Sequence, residues 1–112
     1  MKLSFAIALA VAAVLAGCTT PSAVIVGTPR PALAVEAVRV YDTAPPGAEV
    51  IARISAVGQG LTYNGAAQNA LAVLKKRAAA LGANGLVIDT SEQRIWEGHL
   101  ISARAVFVPA TP

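Results

Sequence analysis

Apolar residues change their rhythm several times along this chain, and each rhythm predicts an element. Leu3 to Ala16 is apolar except for Ser4. Val35 to Tyr41, "VEAVRVY", alternates: Val38 and Val40 share a face with Glu36, Arg39 and Tyr41 take the other, and the stretch predicts a strand. Glu49 to Val57 alternates again, with Val50, Ala52, Ile54 and Ala56 on one face and Ile51, Arg53, Ser55 and Val57 on the other. From Ala66 to Leu81 the period lengthens. Ala67, Leu71, Leu74, Ala78 and Leu81 recur at helical spacing, opposite Gln68, Lys75 and Lys76. Leu86 to Asp89 opens a third strand extending toward Ile95. Leu100 to Val108 is a fourth, with Ile101, Ala103, Ala105 and Phe107 facing one way.

Breakers separate these segments. Pro45, Pro46 and Gly47 make a turn, and residues 58–65, "GQGLTYNG", read as a loop. Gly82 suits the position just past the helix, and Lys75, Lys76 and Arg77 suit the negative end of its dipole. Asn84-Gly85 and Glu97-Gly98 are turn pairs, and Pro109 and Pro112 close the last strand. The order is ββαββ. One helix and four strands allow two layers, so the expected fold class is α+β: an antiparallel four-stranded sheet with the helix on one face. Leu71 and Leu74 should pack against Ile54, Ile101 and Phe107. The domain is expected over 35–109, about 75 residues, close to the lower size limit for a core without staples. Residues 18–34, with Pro21, Pro29 and Pro31, read as a tether. Within them Ala23-Val24-Ile25-Val26 either adds a short strand or lies along the domain.

Composition changes the picture mainly at the N-terminus. The chain has 112 residues, is 55% hydrophobic and has a mean hydropathy of +0.61. Residues 1–17 are the most apolar part, and a 14-residue apolar run after Lys2 is too short for a membrane span, which needs about 20. It fits the core of a secretory signal peptide. Leu15-Ala16-Gly17-Cys18 follows at once, and Cys18 is the only cysteine. "LAGC" resembles the bacterial lipobox. The resemblance implies a signal peptide over 1–17, a diacylglycerol on the Cys18 sulfur, cleavage before Cys18 and acylation (palmitate among the chains) of the new amine. Two or three acyl chains satisfy the requirement for stable anchoring. Thr19 and Thr20 follow the cysteine where an aspartate would signal retention at the inner membrane. In a Gram-negative cell the expected place is the outer membrane, with the domain in the periplasm. A single cysteine leaves nothing to form an internal disulfide.

Arg77 to Thr90, "RAAALGANGLVIDT", carries a second resemblance. It is similar to the helix end and following strand of small Gram-negative lipoproteins of the RcsF-like and YbjQ-like group, over roughly 38–108 together with the lipobox. The resemblance implies that "VRVYDTAPPGAEVIARI" forms a hairpin before the helix, and that the domain is a periplasmic interaction or stress-related module. RcsF-like domains carry disulfides, which this chain cannot form.

Catalytic chemistry is scarce. His99 is the only histidine and reads as a surface residue beside a turn, short of the converging ligands a metal needs. Ser102, His99 and Asp89 assemble a triad on paper only, with nothing marking Ser102 as an elbow serine. "GQG" at 58–60 lacks the ending of a phosphate loop. A net charge of +3, which falls to +2 once Lys2 is removed with the leader, is too weak for nucleic acid. No metal, cofactor or nucleic acid is expected. Lys75, Lys76 and Arg77 are either a solvated helix end or a contact for anionic headgroups or peptidoglycan carboxylates. Trp96 packs under its turn or is presented outward to a partner. The expected function is a non-enzymatic, lipid-anchored envelope protein, attached through Cys18, that binds another envelope component. Two alternatives stand beside it: a homo-oligomer with a ligand or catalytic pocket between subunits, as the YbjQ-like resemblance implies, and a structural envelope-integrity protein.

Overall fold

The computed structural model describes residues 23–94 and 98–110. In chain order it contains β1 (Ala23–Ile25), a 3-10 turn (Val35–Ala37), β2 (Arg39–Tyr41), β3 (Glu49–Gly58), α1 (Tyr63–Ala80), β4 (Gly85–Arg94) and β5 (Gly98–Phe107). The class is α+β, with one helix packed on a five-stranded mixed sheet of order β1-β3-β5-β4-β2. The expectation of four antiparallel strands is corrected in two places: β1 is added at one edge, and β2 pairs parallel to β4 at the other.

The hairpin expected over 38–54 does not form. β2 and β3 run parallel, with β5 and β4 between them. The physical cause lies in their lengths and linker. β2 offers only three residues, and the seven-residue connection "DTAPPGA" holds two prolines that supply no N–H for a tight turn. β3, β4 and β5 have ten residues each and pair along most of their length, so they form the sheet centre and leave β2 the outer edge of β4. The chain over 35–37 turns rather than extends, shortening the strand expected from Val35.

β5 is the middle strand. Ile101, Ala103 and Ala105 are buried on its inner face, opposite Ala56, Ile54 and Ala52 of β3, and Leu86 and Ile88 of β4 continue that layer. Leu74 is fully buried among them, as the sequence predicts, whereas Leu71 and Phe107, expected in the core with it, pack at its margin.

α1 starts at Tyr63, three residues earlier than the sequence suggests. Thr62 is in extended conformation and its Oγ1 accepts a hydrogen bond from the Gly65 N–H at 3.0 Å, which draws Tyr63, Asn64 and Gly65 into the first turn. The buried line is Ala66, Ala70, Leu74 and Ala78, with Ala79 beside it. The leucines at 71 and 81 fall on its flank rather than its centre. Small residues face the sheet because the helix lies very close to β3. A methyl group added at Gly58 would overlap the Ala66 carbonyl. At the other end Gly82 (φ 76°) donates to Ala79 O and Ala83 donates to Ala78 O, a Schellman closure that satisfies two end carbonyls.

β1 forms from the apolar patch at 23–26, the strand alternative of the two kept open. After it the chain passes the helix end. Arg30 N–H donates to Leu81 O and Leu33 N–H to Ala79 O, both at 2.9 Å. Arg30 lies 3.8 Å over the Phe107 ring and 3.1 Å from the Glu49 carboxylate. Residues 23–34 are therefore bound along the packed unit.

Candidate functional site

α1 covers one face of the sheet, and among the described residues no helix covers the other. Alternation along β3, β5 and β4 sends Arg53, Ser55 and Val57, then Leu100, Ser102 and Arg104, then Thr90 and Glu92 to this open face. The registers line them up across strands. Ser55 is opposite Ser102, which is opposite Thr90, a row of three hydroxyls. In the next row Arg53 is opposite Arg104. The β4 register shifts between Ile88 and Thr90, and Asp89 there accepts from Arg104 Nε at 2.9 Å. Arg53 is exposed and has no hydrogen-bond or ion-pair partner among the described residues. Val24, Arg53, Ser55, Asp89 and Ser102 line a shallow groove of about 310 Å³. At one end the Tyr41 ring lies over Gly85 beside Val106, which, like Val87, is fully buried. An open, flat surface with a free guanidinium and a hydroxyl row can hold carboxylates or an acidic surface; it contains no activated nucleophile.

A second polar cluster sits under the start of α1, and it corrects the reading of His99 as a surface residue. His99 is fully buried. It faces Gly58 on one side and Gln93 on the other. Its Nε2 is 2.6 Å from Ser91 Oγ, its Nδ1 is 3.3 Å from Gln93 Oε1, and the Tyr63 ring meets it edge-on at 4.7 Å. Gln93 Oε1 only accepts, which assigns the proton to Nδ1 and makes Nε2 the acceptor of the Ser91 hydroxyl. Hydroxyl, imidazole and orienting group thus connect in the order of a nucleophile-base system. The neutral Gln93 amide supplies no charge to stabilise an imidazolium, as a carboxylate would. The arrangement satisfies every polar atom of a buried ring and ties β4 and β5 to the helix start. The paper triad is corrected too. Ser102 and Asp89 are on the open face, His99 is on the helix face, and the Asp89 carboxylate is engaged by Arg104.

The residues proposed from the sequence as contacts scatter. Cys18 and Trp96 lie outside the described residues. Lys75 is half-buried and Lys76 exposed. Arg77 is half-buried, and its Nη1 donates to Ser55 O at 2.9 Å, one residue past the point where β1 ends its pairing with β3. These three do not share the open face. Among the described residues no group of three His, Cys, Asp or Glu side chains converges on a metal position, and no helix is long and apolar enough to cross a membrane. The two arginines and three hydroxyls of the open face escape sequence reasoning because their juxtaposition depends on register across three strands. No protein-family model, curated protein or solved structure matches this chain.

Proposed function

We propose that this chain is a lipid-anchored envelope protein whose domain is a non-enzymatic interaction module, and that it meets an acidic partner protein through the open face of its sheet. The observation that carries the reading is Arg53: a guanidinium with no partner among the described residues, on the open face of β3, one row from the hydroxyls of Ser55 and Ser102. Arginine in such a position suits planar carboxylate recognition. The "LAGC" motif supports anchoring through Cys18. Thr19 and Thr20 support outer-membrane residence, with the domain in the periplasm, in a Gram-negative cell. The likeness of Arg77–Thr90 to RcsF-like lipoproteins supports a role in the envelope.

The test places a photo-crosslinking side chain at Ser102, on the open face, or at Gln68, on the helix surface, in cells making the full chain. The expected result is one discrete protein adduct from position 102 and none from 68, lost when Arg53→Glu is added. Equal adducts from both positions, or an adduct indifferent to Arg53→Glu, overturn the face assignment. An adduct consisting only of a second copy of this chain replaces it with the homo-oligomer. Fatty-acid labelling that persists in Cys18→Ser overturns the anchor.

A further inference from the structure

The direction of β1 and the short stretch between it and Cys18 bear on how an anchored domain would sit at a lipid surface. β1 is antiparallel to β3, so its N-terminal end at Ala23 points toward the Gly58 end of β3. That end also holds the loop 59–62, the start of α1 and the start of β5, because Gly58 is opposite His99. Ala23 is opposite Ile54, four residue steps or about 13 Å short of Gly58. Cys18 lies five residues before Ala23, a reach of at most about 17 Å. The excess is about 4 Å, less than the roughly 5–8 Å of one headgroup layer. With acyl chains on Cys18, the tether is too short to lift this end clear of the headgroups.

The surface at this end suits that position. Residues 57–64, "VGQGLTYN", carry no charge. Leu61 is fully exposed, and Val57 and Tyr63 are exposed beside it. The loop presenting Leu61 is held in place: Asn69 donates to Gln59 O, and Gly60 lies against the backbone of Gly65 and Ala66. A leucine held out into water at a fixed loop gains free energy when a lipid surface buries it. Tyrosine, apolar in its body and polar at its tip, belongs at headgroup depth. The first turn of α1 has no acidic residue, so its partial positive charge faces anionic headgroups unopposed.

We infer that the loop 59–62 and the first turn of α1, through Leu61 and Tyr63, form a lipid-contacting surface that seats the anchored domain upright on the membrane, strands pointing away from it. This inference rests on lipidation of Cys18.

The experiment uses the full, lipidated chain in vesicles of phosphatidylethanolamine and phosphatidylglycerol. An environment-sensitive fluorophore is attached at Asn64→Cys or, as a control about 18 Å along the helix, at Lys76→Cys. Nitroxide-bearing lipids at headgroup and upper acyl-chain depth should quench position 64 several-fold more than position 76, with a blue shift at 64 only. Leu61→Asp on the Asn64→Cys background should cut that quenching at least two-fold. Equal quenching at 64 and 76, or quenching at 64 that ignores Leu61→Asp, overturns the seating while the anchor stands, provided the mass of the N-terminal peptide shows acyl chains. A peptide mass without acyl chains overturns the anchor and the seating together.

Discussion

Arg53 of β3 stands directly opposite Arg104 of β5, and only Arg104 has a carboxylate, Asp89 at 2.9 Å. Like charges placed across strands repel, and Asp89 offsets that repulsion. Both members of the Arg104–Asp89 pair are about one-third exposed, so the effect is modest. Asp89→Asn should lower the unfolding free energy by about 0.5–1 kcal/mol. The loss should shrink at 0.5 M NaCl, where the Debye length is roughly 4 Å. Adding Arg53→Thr should restore most of it. Urea unfolding of the four members of this cycle checks all three statements.

Leu74 is fully buried against Ile54 and Ile101, whereas Leu71 lies at the core margin. Leu74→Ala should cost about 2–5 kcal/mol, a large share of the stability of a domain this small. Leu71→Ala should cost clearly less. Equal shifts in thermal midpoint would place the buried line of α1 elsewhere.

Ser91→Ala removes the hydroxyl that donates to His99 Nε2 and leaves a buried acceptor unsatisfied. The expected loss is about 1–3 kcal/mol. In the parent, long-range nitrogen–proton spectra should show the Nδ1-protonated tautomer of His99. The Nε2-protonated form would reverse the donor and acceptor roles derived from Gln93.

The two ends of α1 should respond differently to alanine. Thr62→Ala should cost about 1 kcal/mol through loss of the cap on Gly65, and Thr62→Ser should retain most of it. Gly82→Ala should cost more than about 1–2 kcal/mol, since the left-handed backbone is unfavourable for alanine and the new methyl also meets the Arg30 backbone. Circular-dichroism melts distinguish the two sites.

What the sequence makes legible is whatever has length and a single buried face. β3, β5 and α1 each bury one stripe over ten or more residues, and periodicity finds them, while β4 is marked by the continuous apolar run at its buried start. β1 and β2 have three largely exposed residues each, with partners 27 to 46 positions away, so no local pattern marks where they pair. Pairing order is likewise non-local: the Val-rich segments around Pro45-Pro46 resemble a hairpin in sequence and are separated by two strands in space. The helix face is half legible, because hydrophobicity favours leucine while the close approach at Gly58 favours alanine. For His99 the signal was present. Counting back by twos from Phe107 through Ala105, Ala103 and Ile101 lands on it, which places it on the inner face. The histidine's polarity and the neighbouring turn hid that phase.

Both edges of the sheet are built from residues 23–41, and every long-range partner of that stretch comes later in the chain. β1 waits for residues 52–54, Arg30 for Leu81 and Phe107, and β2 for residues 85–87. Synthesis delivers this segment before anything it binds. β1 can pair once residues 52–54 have emerged, whereas β2 stays unpaired until residues 85–87 follow. Until β2 pairs, the outer edge of β4 is open, the interval in which a nascent sheet is most prone to pair with a neighbour.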